Sequence, residues 1–353
     1  MITMSSKIRT LIVDDSKAMR MLLSQILSED PDIEVVGMAG DPLEARDMIK
    51  SLNPDVITLD IEMPRMDGLT FLEKLMRMRP MPVIMVSSLT HRSSEASMEA
   101  LSLGALDVVA KPTVNPLGGL EDAGEELRSK VRMAAKAKLR NSNRVFTSPS
   151  APAPKNVFVS QHRVIAIGSS TGGTEAIRQI IPDLSRDCPP IAIVQHIPPG
   201  FAESFAERLN QICTLNVRTA VDGEVMKNGN VYVAPGGLHM RVLSSGNALK
   251  VRISDDAPVN RHRPSVDVLF ESVAMNVGKN AIGVILTGMG DDGAMGMQLM
   301  KDAGADTIAQ DEATCVVFGM PAQAIARGVV DTIAPLEQVA PEISKLLSVR
   351  TRR

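Results

Sequence analysis

Three side chains able to act together in nucleophilic catalysis each follow an apolar, β-branched run. Ser170 lies in Gly168-Ser169-Ser170-Thr171-Gly172-Gly173, after Arg163-Val164-Ile165-Ala166-Ile167. His196 follows Ile191-Ala192-Ile193-Val194-Gln195, and Asp292 ends Leu286-Thr287-Gly288-Met289-Gly290-Asp291-Asp292. A serine hydroxyl needs a base to become a useful nucleophile, and the base needs a carboxylate to fix its tautomer and stabilise its charged form. The G-x-S-x-G spacing suits a strand-to-helix elbow that exposes Ser170, with backbone N–H groups near Thr171, Gly172 and Met289 as oxyanion donors. The same glycine-rich turn could instead cradle a nucleotide phosphate. That reading calls for G-x-G-x-x-G and an acidic residue ending the next strand. Neither occurs, because the next strand ends in Gln195-His196. Of the five histidines, His91 belongs to the first half and His162 to the wrong end of its strand. His239 and His262 fall in a hairpin region and the loop after it, so His196 is the base favoured by position. For the acid, Asp292 competes with Asp291 and Asp267.

A second polar set, Asp14, Asp15, Asp60, Ser87 and Lys111, also falls at the C-terminal ends of strand-like runs. In open α/β sheets that edge binds ligands. Three carboxylates gathered there repel one another, and a hard divalent ion such as Mg²⁺ relieves the repulsion. Lys111 supplies positive charge for an incoming phosphoryl group.

The elements that must position these groups alternate in both halves. Residues 9–13, 34–39, 55–59, 82–86 and 106–110 read as strands, with helices between them, which implies a parallel sheet covered on both faces. After the elbow, strand and helix signals recur to about Arg327, with Asn230–Pro235 and Met240–Leu243 expected to form an antiparallel excursion. Between the halves, Glu125 to Leu139 reads as a helix with a solvated basic face, and Ser148–Pro154 as a semi-extended connector. The expected division is a first domain over 1–125, helix and linker over 126–157, and a second domain over 158–350.

Composition bounds the function. The chain has 353 residues, 44% hydrophobic, with a formal net charge of -3. That balance and the lack of a helix-turn-helix pattern disfavour nucleic acid as a partner. No apolar run approaches the ~18 residues needed to span a bilayer, so no membrane insertion is expected. Met1 to Lys7 is polar and leads into a strand, so no signal peptide and a cytoplasmic location are expected. The three cysteines lack metal-like spacing and are expected to be reduced.

The first half resembles a response-regulator receiver domain, through Asp14-Asp15, Leu59-Asp60-Ile61-Glu62-Met63-Pro64-Arg65-Met66-Asp67-Gly68, Ser87 and Lys111-Pro112. The second half is similar to the catalytic domain of the chemotaxis protein-glutamate methylesterase family. Gly168 to Gly173, Gln195-His196-Ile197-Pro198, Arg263-Pro264-Ser265-Val266-Asp267-Val268-Leu269-Phe270 and Leu286 to Gly293 carry that likeness. The resemblance implies a flavodoxin-like receiver and a Rossmann-like methylesterase domain, both doubly wound. It implies phosphorylation of Asp60 by a chemotaxis histidine kinase, with Mg²⁺ held by Asp14, Asp15, Asp60 and the Glu62 backbone carbonyl. Ser87 and Lys111 would contact the phosphoryl group. It further implies Ser170 as nucleophile, His196 as base and Asp292 as its orienting acid, with no cofactor for ester hydrolysis. The implied substrates are methylated glutamates, and glutamines, on chemoreceptor cytoplasmic domains. The unphosphorylated receiver is expected to cover the crevice. Two positions depart from the family pattern: Val108, where many receivers have an aromatic residue, and Asp291, where Asn is common.

Overall fold

The computed structural model describes residues 7–64, 66–88, 90–112, 119–137 and 162–350. The chain divides into two compact units, one within residues 1–145 and one within 146–353.

In the first unit, β1 (Ile8–Val13), β2 (Ile33–Ala39), β3 (Val56–Asp60), β4 (Val83–Ser87) and β5 (Asp107–Ala110) alternate with α1 (Lys17–Ser28), α2 (Pro42–Leu52), α3 (Gly68–Met78), α4 (His91–Ser102) and α5 (Gly119–Ala134). The sheet is parallel, in the order β2-β1-β3-β4-β5. β3 and β4 are buried at every position, as expected of strands covered on both faces. Local chemistry sets the helix starts: the Ser16, Asp41, Asp67 and Thr90 side chains each accept from a first-turn N–H. Behind the Thr90 cap, α4 begins at His91 over a polar stretch with no apolar period to betray it.

The helix expected over Glu125–Leu139 as part of the connector begins instead at Gly119 and packs on α1. Its Leu127, Val131 and Ala134 are buried, and its cations are committed within the unit. Arg128 pairs with Glu29, Lys130 with Asp107 and Arg132 with Asp30. The helix is therefore the fifth of the first unit, and a boundary at 125 cuts through it. Of the turn-rich break that Asn115 to Gly119 suggests, residues 115–118 lie outside the described residues, as does the Pro-rich stretch Ser148–Pro154, and Gly119 opens the helix instead.

In the second unit, β6 (Val164–Ser169), β7 (Ile191–Gln195), β8 (Asn216–Thr219), β9 (Asn230–Val233), β12 (Ala281–Ile285), β13 (Asp306–Gln310) and β14 (Thr332–Ala334) form one parallel sheet, ordered β14-β13-β12-β6-β7-β9-β8. α6 (Gly173–Ile180), α7 (Phe201–Ile212), α8 (Val266–Asn276), α9 (Ala294–Asp302), α10 (Met320–Ala326) and α11 (Leu336–Arg350) connect and follow these strands. The antiparallel excursion exists but is differently built. β9 belongs to the main sheet, and the hairpin is β10 (His239–Ser245) with β11 (Ala248–Ser254), lying against α8.

Strand order reverses beside β6: the chain runs from β6 to β7 on one side and later returns to β12 on the other. Crevices form at such switch points, outside the carboxyl ends of the strands. In the first unit the corresponding point lies between β1 and β3.

Candidate active site

The turn after β6 is shaped by contacts that only glycine permits. A Cβ on Gly168 would lie 2.1 Å from Val266 Cγ1, and one on Gly173 would lie 2.2 Å from Gln195 Oε1. Gly172 has φ +76°, which glycine adopts without strain, and Gly173 opens α6. Between them Ser170 is 7% exposed. Its N–H donates to Thr287 O at 3.0 Å, and its carbonyl accepts from Gly173 N at 2.7 Å and Gln195 Nε2 at 2.8 Å. The backbone alone thus fixes the serine.

His196 follows β7 and ties to the elbow strand through its N–H to Ser169 O at 3.1 Å. Its ring Nε2 lies 2.8 Å from Asp292 Oδ2. Facing a carboxylate, Nε2 carries the proton and donates, which leaves the lone pair on Nδ1. Nδ1 is buried and has no hydrogen-bond partner, so the Ser170 hydroxyl is not yet bonded to it. Such bonds commonly tighten only once substrate is bound.

Asp292 is 1% exposed and accepts from four donors besides His196. These are Val266 N at 2.7 Å on Oδ2, and Ser265 Oγ at 2.7 Å, Asn260 Nδ2 at 2.9 Å and Asp267 N at 3.2 Å on Oδ1. The carboxylate thus caps the positive end of α8. Burial alone would raise its pKa, but His196, the Asn260 amide and the Val266 N–H hold it well below the usual carboxylate range. Its two rivals are placed otherwise. Asp291 is exposed, and Asp267 is occupied by Gly296 N at 2.6 Å and Asn260 Nδ2 at 2.6 Å. Burial pushes the Asp267 carboxyl up, in line with a structural role.

Near the elbow the Gly172 N–H donates to nothing among the described residues, whereas Gly173 N–H is committed to Ser170 O. Thr171 is 2% exposed, and its carbonyl accepts from Thr287 Oγ1 at 3.0 Å. Met289 follows Gly288, where a Cβ would meet Ser170 Cβ at 2.8 Å, so the loop after β12 closes directly on the serine.

Sequence reasoning missed His262. Its ring stacks on His196, with centroids 3.7 Å apart and planes 12° apart. It also missed Asn260 and Ser265, two of the donors that hold Asp292. The readable signal was Ser265 as the N-cap of α8. His239, fully buried, accepts from Ser265 N on Nδ1 at 3.2 Å and donates from Nε2 to Ala257 O at 3.0 Å. It therefore braces this loop in its neutral form.

The first unit gathers Asp14, Asp15 and Asp60 with ligand atoms within 4.8 Å of one another. Lys111 Nζ lies 2.7 Å from Asp60 Oδ2 and 3.0 Å from Asp14 Oδ2. Asp14 is fully buried, and Lys111 is the cation its Oδ2 faces. Three carboxylates this close form an all-oxygen donor set, which fits a hard divalent cation. Ser87, 1% exposed, ends β4 and turns its hydroxyl to Ser88 O at 3.3 Å rather than to Asp60. Glu62 N donates to Asp60 Oδ1 at 3.3 Å. Gly68 is required, because a Cβ there would lie 2.0 Å from Asp60 O. Val108 is buried in β5.

Burial pushes the Asp60 carboxyl up to about 6, against the opposing pull of Lys111. A carboxyl raised in the folded state contributes stability at low pH and loses it as pH rises through about 6. Asp60→Asn should therefore stabilise the metal-free first unit by about 1–3 kcal/mol at pH 7.5. The gain should vanish near pH 4.5. Calorimetric melting of both proteins in chelator checks this, and a gap that stays flat with pH would refute it.

The CheB methylesterase family matches residues 165–343, and the response regulator receiver domain family matches residues 10–117. A protein-glutamate methylesterase/protein-glutamine glutaminase of Xanthomonas campestris pv. campestris is 52% identical over 352 residues, covering 98% of each chain. Its counterpart in Pectobacterium atrosepticum is 54% identical, over 97% of this chain and 98% of its own. The crystal structure of the Thermotoga maritima CheB methylesterase catalytic domain superposes with a TM-score of 0.51 at 40% identity. It covers 52% of this chain and 98% of that one. A sequence matching such relatives over nearly its whole length belongs to the CheB methylesterase family, in the form whose methylesterase domain follows a response regulator receiver domain.

Proposed function

We propose that this chain is a phosphorylation-activated protein-glutamate methylesterase that hydrolyses glutamyl methyl esters on chemoreceptors to glutamate and methanol. The observation that carries the reading is the His196 Nε2–Asp292 bond, which leaves the Nδ1 lone pair at a strand switch point beside the serine elbow. Nδ1 takes the Ser170 proton while Oγ attacks the γ-carbonyl carbon. Negative charge grows on the carbonyl oxygen, where the Gly172 and Met289 N–H groups and the neighbouring Thr171 backbone are the candidate donors. Collapse breaks the bond to the methoxy oxygen, which takes the proton from His196 and leaves as methanol. Water, deprotonated by Nδ1, then attacks the acyl-enzyme carbonyl, and glutamate leaves as Ser170 Oγ regains the proton. With glutamine the leaving group is ammonia, so the same residues support deamidation. No step calls for a cofactor.

In the receiver, Asp60 accepts the phosphoryl group from a chemotaxis histidine kinase, and Lys111 and Ser87 contact it. Asp14, Asp15, Asp60 and the Glu62 backbone carbonyl would hold Mg²⁺, which neutralises the acidic cluster and the incoming phosphoryl oxygens. Phosphorylation biases the chain toward a state in which the catalytic crevice is open. A cytoplasmic setting fits these partners, and no helix among the described residues is long and apolar enough to cross a membrane.

The test is methanol release from methylated receptor membranes, with and without a small-molecule phosphodonor and Mg²⁺. Release should rise with phosphodonor in the wild type and ignore it in Asp60→Asn. Release indifferent to phosphodonor in both would keep the esterase and remove the switch.

A further inference from the structure

We infer that His262 is a positioning residue for the catalytic base: its ring is a plate that fixes the plane of the His196 imidazole. This rests on the esterase reading given above. His196 is held by one ring hydrogen bond, Nε2 to Asp292, while Nδ1 has none. An imidazole held at one point can still swing about its side-chain bonds, carrying Nδ1 away from the hydroxyl it must deprotonate. The missing restraint is supplied from the face, by the His262 ring stacked at 3.7 Å and 12°.

The plate is itself fixed by an unusual turn. Val259 and His262 exchange backbone bonds, Val259 N to His262 O at 3.1 Å and His262 N to Val259 O at 2.9 Å. The two residues between them, Asn260 and Arg261, both adopt positive φ, 52° and 66°. Turns with two left-handed centres favour Asn followed by Gly. Arg at the second centre is disfavoured, so the conformation persists because its surroundings enforce it. Those surroundings belong to the base. The Asn260 amide donates to Asp292 at 2.9 Å and to Asp267 at 2.6 Å. Downstream, the Arg263 guanidinium donates to the carbonyls of Asp255 and Asp256 at 2.8 and 3.1 Å, and its carbonyl accepts from Gly237 N at 3.0 Å. One carboxylate, Asp292, therefore grips the edge of His196 directly and, through Asn260, holds the plate against its face.

What the plate supplies is flatness, and side chains of other shape lack it. His262→Leu keeps apolar bulk but loses the plane, whereas His262→Phe keeps it. In the intact protein with phosphodonor, Leu should lower kcat for methanol release by about 10- to 100-fold with KM within twofold. Phe should stay within about threefold of wild type, on the same reasoning. A readout that needs no turnover runs alongside. In ¹⁵N-labelled protein the His196 ring should show one sharp Nε2–H tautomer in wild type and His262→Phe, and broadened or mixed signals in His262→Leu. Equal kcat in the Leu and Phe variants, whether high or low, or a change confined to KM, would overturn the inference. So would an unchanged His196 tautomer signal in His262→Leu. A wild type that releases no methanol while its His196 signals follow this pattern would remove the esterase reading and leave the brace.

Discussion

Ser170→Ala should lower methanol release by a factor of about 10⁴–10⁶ while phosphorylation of Asp60 continues at the wild-type level. The size follows from loss of the attacking atom, since the remaining groups can only bind ester and polarise water. The specificity follows from how the serine is held. Its N–H and carbonyl carry its bonds to Thr287, Gly173 and Gln195, so alanine keeps the elbow. His196 and Asp292 also keep their bond, which does not involve the hydroxyl. Stability should change by no more than about 0.5 kcal/mol. Gas-chromatographic methanol assay, labelled phosphodonor and a thermal melt measure the three quantities on one preparation. Activity within tenfold of wild type would remove Ser170 from the nucleophile position.

Both polar clusters were legible because their members sit where local sequence changes character. Asp14, Asp60, Ser87, Ser170 and His196 each end or follow a buried apolar run, and parallel sheets place such ends on one edge. Choosing Asp292 over its neighbour Asp291, or over Asp267, needed the family resemblance, because neighbours in a loop share a topological address and a second acid near the same edge is not excluded by it. In the structure Asp292 stands apart by its donors, which come from two segments distant from it in sequence, His196 and the stretch from Asn260 to Asp267. His262 was illegible for the same reason. Its turn belongs to the connection between β11 and α8, and its place is set by the bond of Asn260 to the distant Asp292, with a nearer one to Asp267. Elements with weak local signals were missed too. β8 and β14 are short edge strands of four and three residues, and α11 contains Pro341, which ordinarily reads as a stop. The basic run of α5 was read as a solvated face, because partners such as Glu29 and Asp30 lie about a hundred residues earlier.

Asp292→Asn should cost both activity and stability, and the geometry says why an isosteric change is not mild here. Every atom facing the carboxylate is a donor: His196 Nε2 and Val266 N on one oxygen, Ser265 Oγ, Asn260 Nδ2 and Asp267 N on the other. An amide replaces one acceptor with a donor, and neither flip restores the match. With NH₂ toward His196, the ring must accept at Nε2, which moves its proton to Nδ1 and removes the lone pair that serves Ser170. With NH₂ toward Ser265, the N-cap of α8 and the Asn260 amide lose their acceptor. Either way a buried donor is left unmatched at 1% exposure, worth about 1–3 kcal/mol. The first flip lowers kcat by about 10⁴ through the wrong tautomer. The second keeps the tautomer but not the negative charge that stabilises the imidazolium as Ser170 is deprotonated. Thermal melts and single-turnover methanol release, followed from pH 6 to 9, separate the two costs. A variant that melts lower yet keeps kcat within tenfold of wild type would make Asp292 a structural acid and leave His196 without an orienting partner.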